Sequence, residues 1–245
     1  MKNRPPAPVG MTREVKSASK WRSAALESQM VKTPKVRTKI CGITNAADAR
    51  RAVAEGAEFL GFNFYEKSPR YIRPGAAERI ARSLPARVKK AGVFVNESEE
   101  TIARIARRVG LDFIQLHGEE SPAFVARIRR VAPVIKAVRV RPGFRTAELR
   151  KYANAAAVLL DGFDSRRHGG TGKTFDWRIA KRAGRGRRIF LAGGLTPENV
   201  GEAVRAVHPF AVDVCSGVES RPGKKSAARM KELMKAVREA QGRKK

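Results

Sequence analysis

The sequence predicts one closed (β/α)8 barrel of the TIM type, and three observations predict it. Short apolar runs rich in Val, Ile and Phe alternate with amphipathic stretches of helical period from residue 36 onward, eight such pairs occur, and no two runs are joined by a hairpin turn. The chain of 245 residues suits a single barrel of about 250, and 42% hydrophobic residues can fill one large core.

The elements follow in order. The apolar runs span 36–43, 59–65, 91–96, 113–117, 134–140, 157–161, 189–193 and 211–216. The helical stretches between them span 46–55, 76–83, 98–109, 122–131, 146–153, 177–182 and 197–207, with a last helix over 225–241. Ser98 with Thr101 close behind, Ser121-Pro122 and Thr196-Pro197-Glu198 place a capping hydroxyl before a first-turn proline or just ahead of the helix, fixing those starts. The barrel domain is predicted over 36–242, preceded by a basic, proline-punctuated, disordered arm over 1–35.

Composition excludes several function classes. No apolar stretch approaches the roughly 18 residues of a membrane span, and no continuous apolar segment follows the N-terminal basic residues as in a secretory signal. The two cysteines, Cys41 and Cys215, have neither metal-ligand spacing nor a disulfide framework, so no metal site is expected and a reducing cytoplasm fits. The net charge of +29 raises the question of nucleic acid. The basic residues are spread over most helices, as at Arg79, Arg104, Arg127 and Lys231, rather than gathered into one aromatic-laced stripe, and they read as solvated helix faces.

Chemistry in such a barrel sits at the C-terminal strand ends. Here those ends are polar: Cys41 at the end of strand one, Gln115 and His117 at strand four, Asp161 at strand six, Gly193-Gly194 after strand seven, and Asp213 to Gly217 at strand eight. Glycines at 193, 194 and 217 with Ser216 let backbone N–H groups approach an anion, so the seventh and eighth turns read as a phosphate cradle. Asp161 closes a buried run and needs a partner or a task. The Cys41 thiol, with Lys39 as a tuner, is suited to accept a proton from carbon, though a small cysteine also serves packing alone. Arg70 in the loop after strand two could fork onto a carboxylate or be one more surface arginine. His117 reads as a proton carrier or a hydrogen-bonding strand cap. The stretch 168–174 ends Gly-Lys-Thr but lacks the first glycine of a nucleotide loop, so it reads as a lid or rim over the mouth.

Further matches run in order along the chain: Lys-Ile-Cys-Gly-Ile-Thr at 39–44, Gly-Phe-Asn-Phe-Tyr at 61–65, Ser-Pro-Arg-Tyr-Ile at 68–72, Gly-Val-Phe-Val-Asn at 92–96 and Gln-Leu-His-Gly-Glu-Glu at 115–120. They continue with Leu-Leu-Asp at 159–161, Gly-Gly-Thr-Gly-Lys-Thr-Phe-Asp-Trp at 169–177, Gly-Gly-Leu-Thr-Pro-Glu-Asn-Val at 193–200 and Val-Asp-Val-Cys-Ser-Gly-Val-Glu at 212–219. Together these resemble the phosphoribosylanthranilate isomerase family of tryptophan biosynthesis over residues 39–236. The resemblance implies a cofactor-free Amadori rearrangement of N-(5-phosphoribosyl)anthranilate, a small-molecule substrate, by a monomer or homodimer. It implies Asp161 as general acid, Cys41 as general base, Arg70 on the anthranilate carboxylate, and Gly193, Gly194, Ser216 and Gly217 on the phosphate, with Gln115 and Asp213 at further mouth positions.

Three features depart from the family: the N-terminal arm, the high charge, and Cys215 where a second serine is common. Strands one and eight are neighbours in a closed barrel, so Cys41 and Cys215 are expected to be able to cross-link under oxidation. Two other readings compete. The sister isomerase of histidine biosynthesis places an aspartate where this chain has Cys41, and a nucleic-acid-binding barrel without catalysis would not need the acid and base positions that are intact here.

Overall fold

Successive side chains of a strand point to opposite faces, and the eight runs sort their residues accordingly. One parity carries Ile40, Leu60, Phe62, Phe94, Ile114 and Leu116, all buried in the layer between sheet and helices. The other carries Phe59, Ile135, Leu159 and Phe190, which pack against one another inside the ring. Phe59 and Phe190 meet edge to face at 5.3 Å and fill that inner core. Farther along the same parity the interior turns polar, with Lys39, Gln115, Asp161 and Asp213 all buried.

The computed structural model describes residues 35–162 and 175–242. The strands β1 (Arg37–Ile40), β2 (Phe59–Asn63), β3 (Lys89–Phe94), β4 (Phe113–Leu116), β5 (Val134–Val140), β6 (Ala157–Gly162), β7 (Ile189–Leu191) and β8 (Ala211–Val214) form a closed parallel barrel in chain order. The ring shuts where β8 pairs with β1, in the register Lys39 to Asp213 and Ile40 to Val214. The arm expected over 1–35 (Lys35 excepted) and the lid expected over 168–174 lie outside the described residues.

The helices are α1 (Ala46–Glu55), α2 (Pro74–Arg82), α3 (Glu99–Val109), α4 (Pro122–Ile128), α5 (Trp177–Ala183), α6 (Val200–Val207) and α7 (Ala227–Ala240). The start of α3 is set by Ser98, whose hydroxyl accepts the Thr101 N–H, and α4 is capped in the same way by Ser121. The longest helix described, α7, has no apolar window able to cross a membrane, nor does any other described helix.

Four expectations need correction. The segment Thr146–Tyr152 is a 3-10 helix rather than an α-helix, opened by the Glu148 carboxylate accepting the Arg145 N–H. Helix α6 begins at Val200 and not at Pro197, because the Asn199 side chain accepts the Thr196 N–H and donates to the Gly194 carbonyl, holding 194–199 as a turn. Strand β1 ends at Ile40, so Cys41 lies one residue beyond it, although the Cys41 N–H still donates to the Val214 carbonyl at 2.9 Å. Finally, residues 216–225 form a short 3-10 turn (Ser216–Val218) and a hairpin of β9 (Glu219–Arg221) with β10 (Lys224–Lys225), so Lys225 is not the first residue of the last helix.

Candidate active site

A cavity of about 570 Å3 opens at the C-terminal ends of the barrel strands. Cys41, Arg70, Gln115, His117, Asp161, Gly193, Gly194, Asp213 and Ser216 all line it, so nine of the ten residues singled out from sequence converge on one mouth. Gly217 sits behind the wall, where an added Cβ would lie 2.0 Å from the Leu195 carbonyl oxygen. Its glycine identity is therefore a packing requirement between the seventh and eighth turns.

On one side of the mouth, Asp161 ends the inward parity of β6 and is buried. Its Oδ2 lies 3.3 Å from His117 Nε2, and His117 Nδ1 lies 3.0 Å from Gln115 Nε2. With the amide nitrogen donating, Nδ1 accepts and Nε2 carries the proton toward Asp161. His117 thus orients the carboxylate, and Gln115 orients His117. The amide oxygen, Gln115 Oε1, is buried without a hydrogen-bond partner among the described residues. Gly193 closes this side with φ at +84°, and an added Cβ there would fall 2.2 Å from the Gly162 nitrogen.

On the other side, Lys39 is fully buried, with Nζ 2.9 and 3.0 Å from the two oxygens of Asp213. Burial alone would lower the Lys39 pKa, but Asp213 and Cys41 outweigh it and raise it above the ordinary lysine value. Burial pushes the Asp213 carboxyl up to about 7 against the pull of Lys39. The neighbouring Cys215 thiol, together with burial, drives the Cys41 pKa well above the ordinary cysteine range despite Lys39. The Cys41 thiol beside it, aided by Lys225 and Arg70 and opposed by burial, draws Cys215 down to about 6. Both cysteines are free thiols.

The hairpin supplies two residues that the sequence reading did not single out. Glu219 accepts from Arg70 Nε at 2.9 Å and from Arg70 Nη2 at 2.7 Å, leaving Nη1 outside the fork. Lys225, also fully buried at its side chain, donates to Glu219 at 3.0 Å and to the Cys215 carbonyl at 3.1 Å, with its Nζ 3.7 Å from Cys215 Sγ. The Pro222-Gly223 turn was the available signal, since that dipeptide between two short polar segments marks a reversal. At the phosphate turns, the helix end expected to follow Gly194 is displaced to Val200, so the seventh turn offers backbone N–H groups rather than a helix terminus directly after its glycines. The eighth turn leads straight into the 3-10 turn at Ser216, which Arg229 braces through the Gly217 carbonyl at 2.8 Å.

A sequence model of the N-(5′-phosphoribosyl)anthranilate (PRA) isomerase family matches residues 38–236 of this chain. The chain belongs to this family. It is 48% identical over 204 residues to the N-(5′-phosphoribosyl)anthranilate isomerase of Pelobacter propionicus, covering 83% of this chain and 96% of that one. Among solved structures, the phosphoribosyl anthranilate isomerase of Thermotoga maritima superposes with a TM-score of 0.79 at 45% identity, over 83% of this chain and 99% of the other. A further family structure, 43% identical with a TM-score of 0.75 over 83% of this chain and 99% of its own, holds reduced 1-(o-carboxyphenylamino)-1-deoxyribulose 5-phosphate. The family resemblance read from ordered motifs and the (β/α)8 barrel read from periodicity are both borne out.

Proposed function

We propose that this protein isomerises N-(5′-phosphoribosyl)anthranilate to 1-(2-carboxyphenylamino)-1-deoxyribulose 5-phosphate, a step of tryptophan biosynthesis. The observation that carries the residue assignment is the placement of a buried carboxyl and a thiol three strands apart around one mouth, Asp161 on β6 and Cys41 after β1. Asp161, oriented by His117 and Gln115, protonates the ribose ring oxygen and opens the sugar to a Schiff base. Cys41 as thiolate, beside the Lys39 ammonium, removes the proton from C2 to give an enolamine that tautomerises to the ketose. Every step moves protons within one substrate, so the scheme uses no cofactor. Arg70 takes the anthranilate carboxylate through Nη1, and the turns at Gly193, Gly194, Ser216 and Gly217 take the phosphate. The substrate is a small molecule and the compartment the cytoplasm, with the barrel over 36–242 acting as a monomer or homodimer.

The test is loss of substrate fluorescence with freshly made phosphoribosylanthranilate, run beside Cys41→Ser and Asp161→Asn. Turnover by wild type with a loss of at least about a hundredfold in both folded variants is expected. A silent wild type overturns the substrate; an active variant overturns that residue's role. Hydrogen peroxide should join Cys41 to Cys215 with release of water (two thiols and one peroxide giving one disulfide and two waters), and dithiothreitol should restore activity. Full activity after prolonged peroxide treatment counts against the cross-link.

A further inference from the structure

We propose that Cys41 and Cys215 act as a two-thiol couple holding one negative charge, which rests on Cys215 and passes to Cys41 when the substrate's carboxylate settles against Arg70. The proposal rests on the isomerase reading above for its trigger, and on the free protein alone for its resting state.

Strand closure makes the couple. Lys39 pairs with Asp213 and Ile40 with Val214, and the Cys41 N–H continues the ladder to the Val214 carbonyl. Residues 41 and 215 share the inward parity of 39 and 213, so the two thiols face the mouth side by side from neighbouring strand ends.

The charge count calls for one thiolate. Three cations surround the pair: Lys39 from β1, Arg70 from the loop after β2, and Lys225 from the hairpin. Two carboxylates answer them, Asp213 on Lys39, and Glu219 shared between Arg70 and Lys225. One buried positive charge is left over, and a buried charge without a counter-charge is costly. His117, which also acts on Asp213, adds positive charge only when protonated, and protonation of Asp213 enlarges the same excess. A single thiolate closes the balance of this cluster, with Asp161 kept protonated on the far side of the mouth as the acid of the isomerase reading.

The excess is not evenly placed. Lys39 has Asp213 to itself, whereas Lys225 and Arg70 share Glu219, and Lys225 Nζ lies 3.7 Å from Cys215 Sγ. The resting charge therefore sits on Cys215, in agreement with its lowered pKa and the raised pKa of Cys41. That is the wrong sulfur for the base. A carboxylate arriving at Arg70 adds a second anion to the Cys215 end and removes its excess of positive charge. One proton then moves from Cys41 Sγ to Cys215 Sγ, with no exchange with solvent and no electron transferred. Cys41 is left as the thiolate beside Lys39, ready to take the C2 proton. Cys215 is a positioning residue in this scheme: it keeps the base masked until the substrate's carboxylate is in place.

The chain's only cysteines are these two, so isotope-labelled cysteine Cβ resonances report each site, assigned with Cys41→Ser and Cys215→Ser. In the free full-length protein at about pH 8, below the ordinary cysteine pKa, Cys215 is expected in the thiolate position and Cys41 in the thiol position. Reduced 1-(o-carboxyphenylamino)-1-deoxyribulose 5-phosphate should exchange the two signals, and its analogue lacking the aromatic carboxylate should bind without exchange. Limited iodoacetamide treatment followed by peptide mapping gives a second reading: wild type is alkylated first at Cys215, and Cys215→Ser is alkylated at Cys41 at least about tenfold faster than wild type at that site. A thiolate on Cys41 in the free protein, or signals that stay in place when the carboxylate-bearing analogue binds, overturns the proposal. Failure of the analogue to bind, with Cys215 still the resting thiolate, instead sinks the isomerase reading and with it the trigger, while the resting couple stands.

Discussion

Lys39 and Lys136 are both buried lysines on barrel strands, each within hydrogen-bonding distance of a carboxylate, yet they face opposite ways. Lys136 sits at the outward parity of β5 and donates to Glu120 at 2.8 Å and to the Gly118 carbonyl at 2.7 Å, while Glu120 in turn accepts the N–H groups of Asn96 and Gly118. Every partner there is a fixed acceptor or donor, and the result is a braced loop after β4, the loop that follows His117. Lys39 faces inward, bonds among the described residues to Asp213 alone and leaves its remaining influence on a thiol. The same ion pair is therefore a brace where its neighbours are backbone and a chemical tuner where its neighbour can lose a proton.

Substitution should separate the two. Lys39→Met is expected to give the largest effect, cutting turnover by at least about a hundredfold and stability by about 3–5 kcal/mol, since it strands Asp213 and removes the cation beside Cys41. Turnover within tenfold of wild type would detach the thiol from Lys39. Lys136→Met should cost a similar 3–5 kcal/mol or so in urea unfolding while the folded fraction keeps turnover within about tenfold. That loss has a pH signature. Lys136 overcomes the burial of Glu120 and holds its carboxyl below the ordinary range, while burial outweighs Glu120 at Lys136 and lowers the ammonium's pKa, so in acid it is the carboxylate's contribution that is full above about pH 4.3 and drains away as pH falls through the lower folded value. The stability gap between wild type and Lys136→Met should accordingly narrow in acid, and a gap that stays constant down to about pH 3 would show that Glu120 is not the partner that matters. The smallest effect belongs to Arg127→Ala on the surface, where both partners of the 2.9 Å pair with Glu99 are about half exposed. Its unfolding free energy should stay within about 1 kcal/mol of wild type and respond to salt.

The barrel was legible because its signal is repeated: each strand carries the same parity, and five strand ends bring polar residues or glycines to the same rim. Cys41, Asp161, His117 and Gln115 could be read off the strand ends for that reason. The parity that exposed Cys41 also pointed Lys39 inward two residues earlier, and strand closure then supplied its partner. Glu219 and Lys225 were harder. Their strands are three and two residues long, below the length at which alternation can be recognised, and Lys225 reads as one more basic residue in a chain with 52 of them. The late start of α6 was hidden because Pro197-Glu198 mimics a helix opening while Asn199 spends its side chain on the turn. Arg70 was legible as a carboxylate binder, but its first carboxylate is the protein's own.

The pairing of Lys39 with Asp213 joins positions 174 residues apart and lies on the seam where the first strand meets the last. During folding, the ammonium on β1 has no counter-charge until the eighth strand arrives. Closing the ring early, with β7 laid against β1, would bury that ammonium against Phe190, the inward residue of that strand. Between β7 and β8 it is the last strand that matches this charge, and so distant a partner is slow to reach because the long intervening loop must close first.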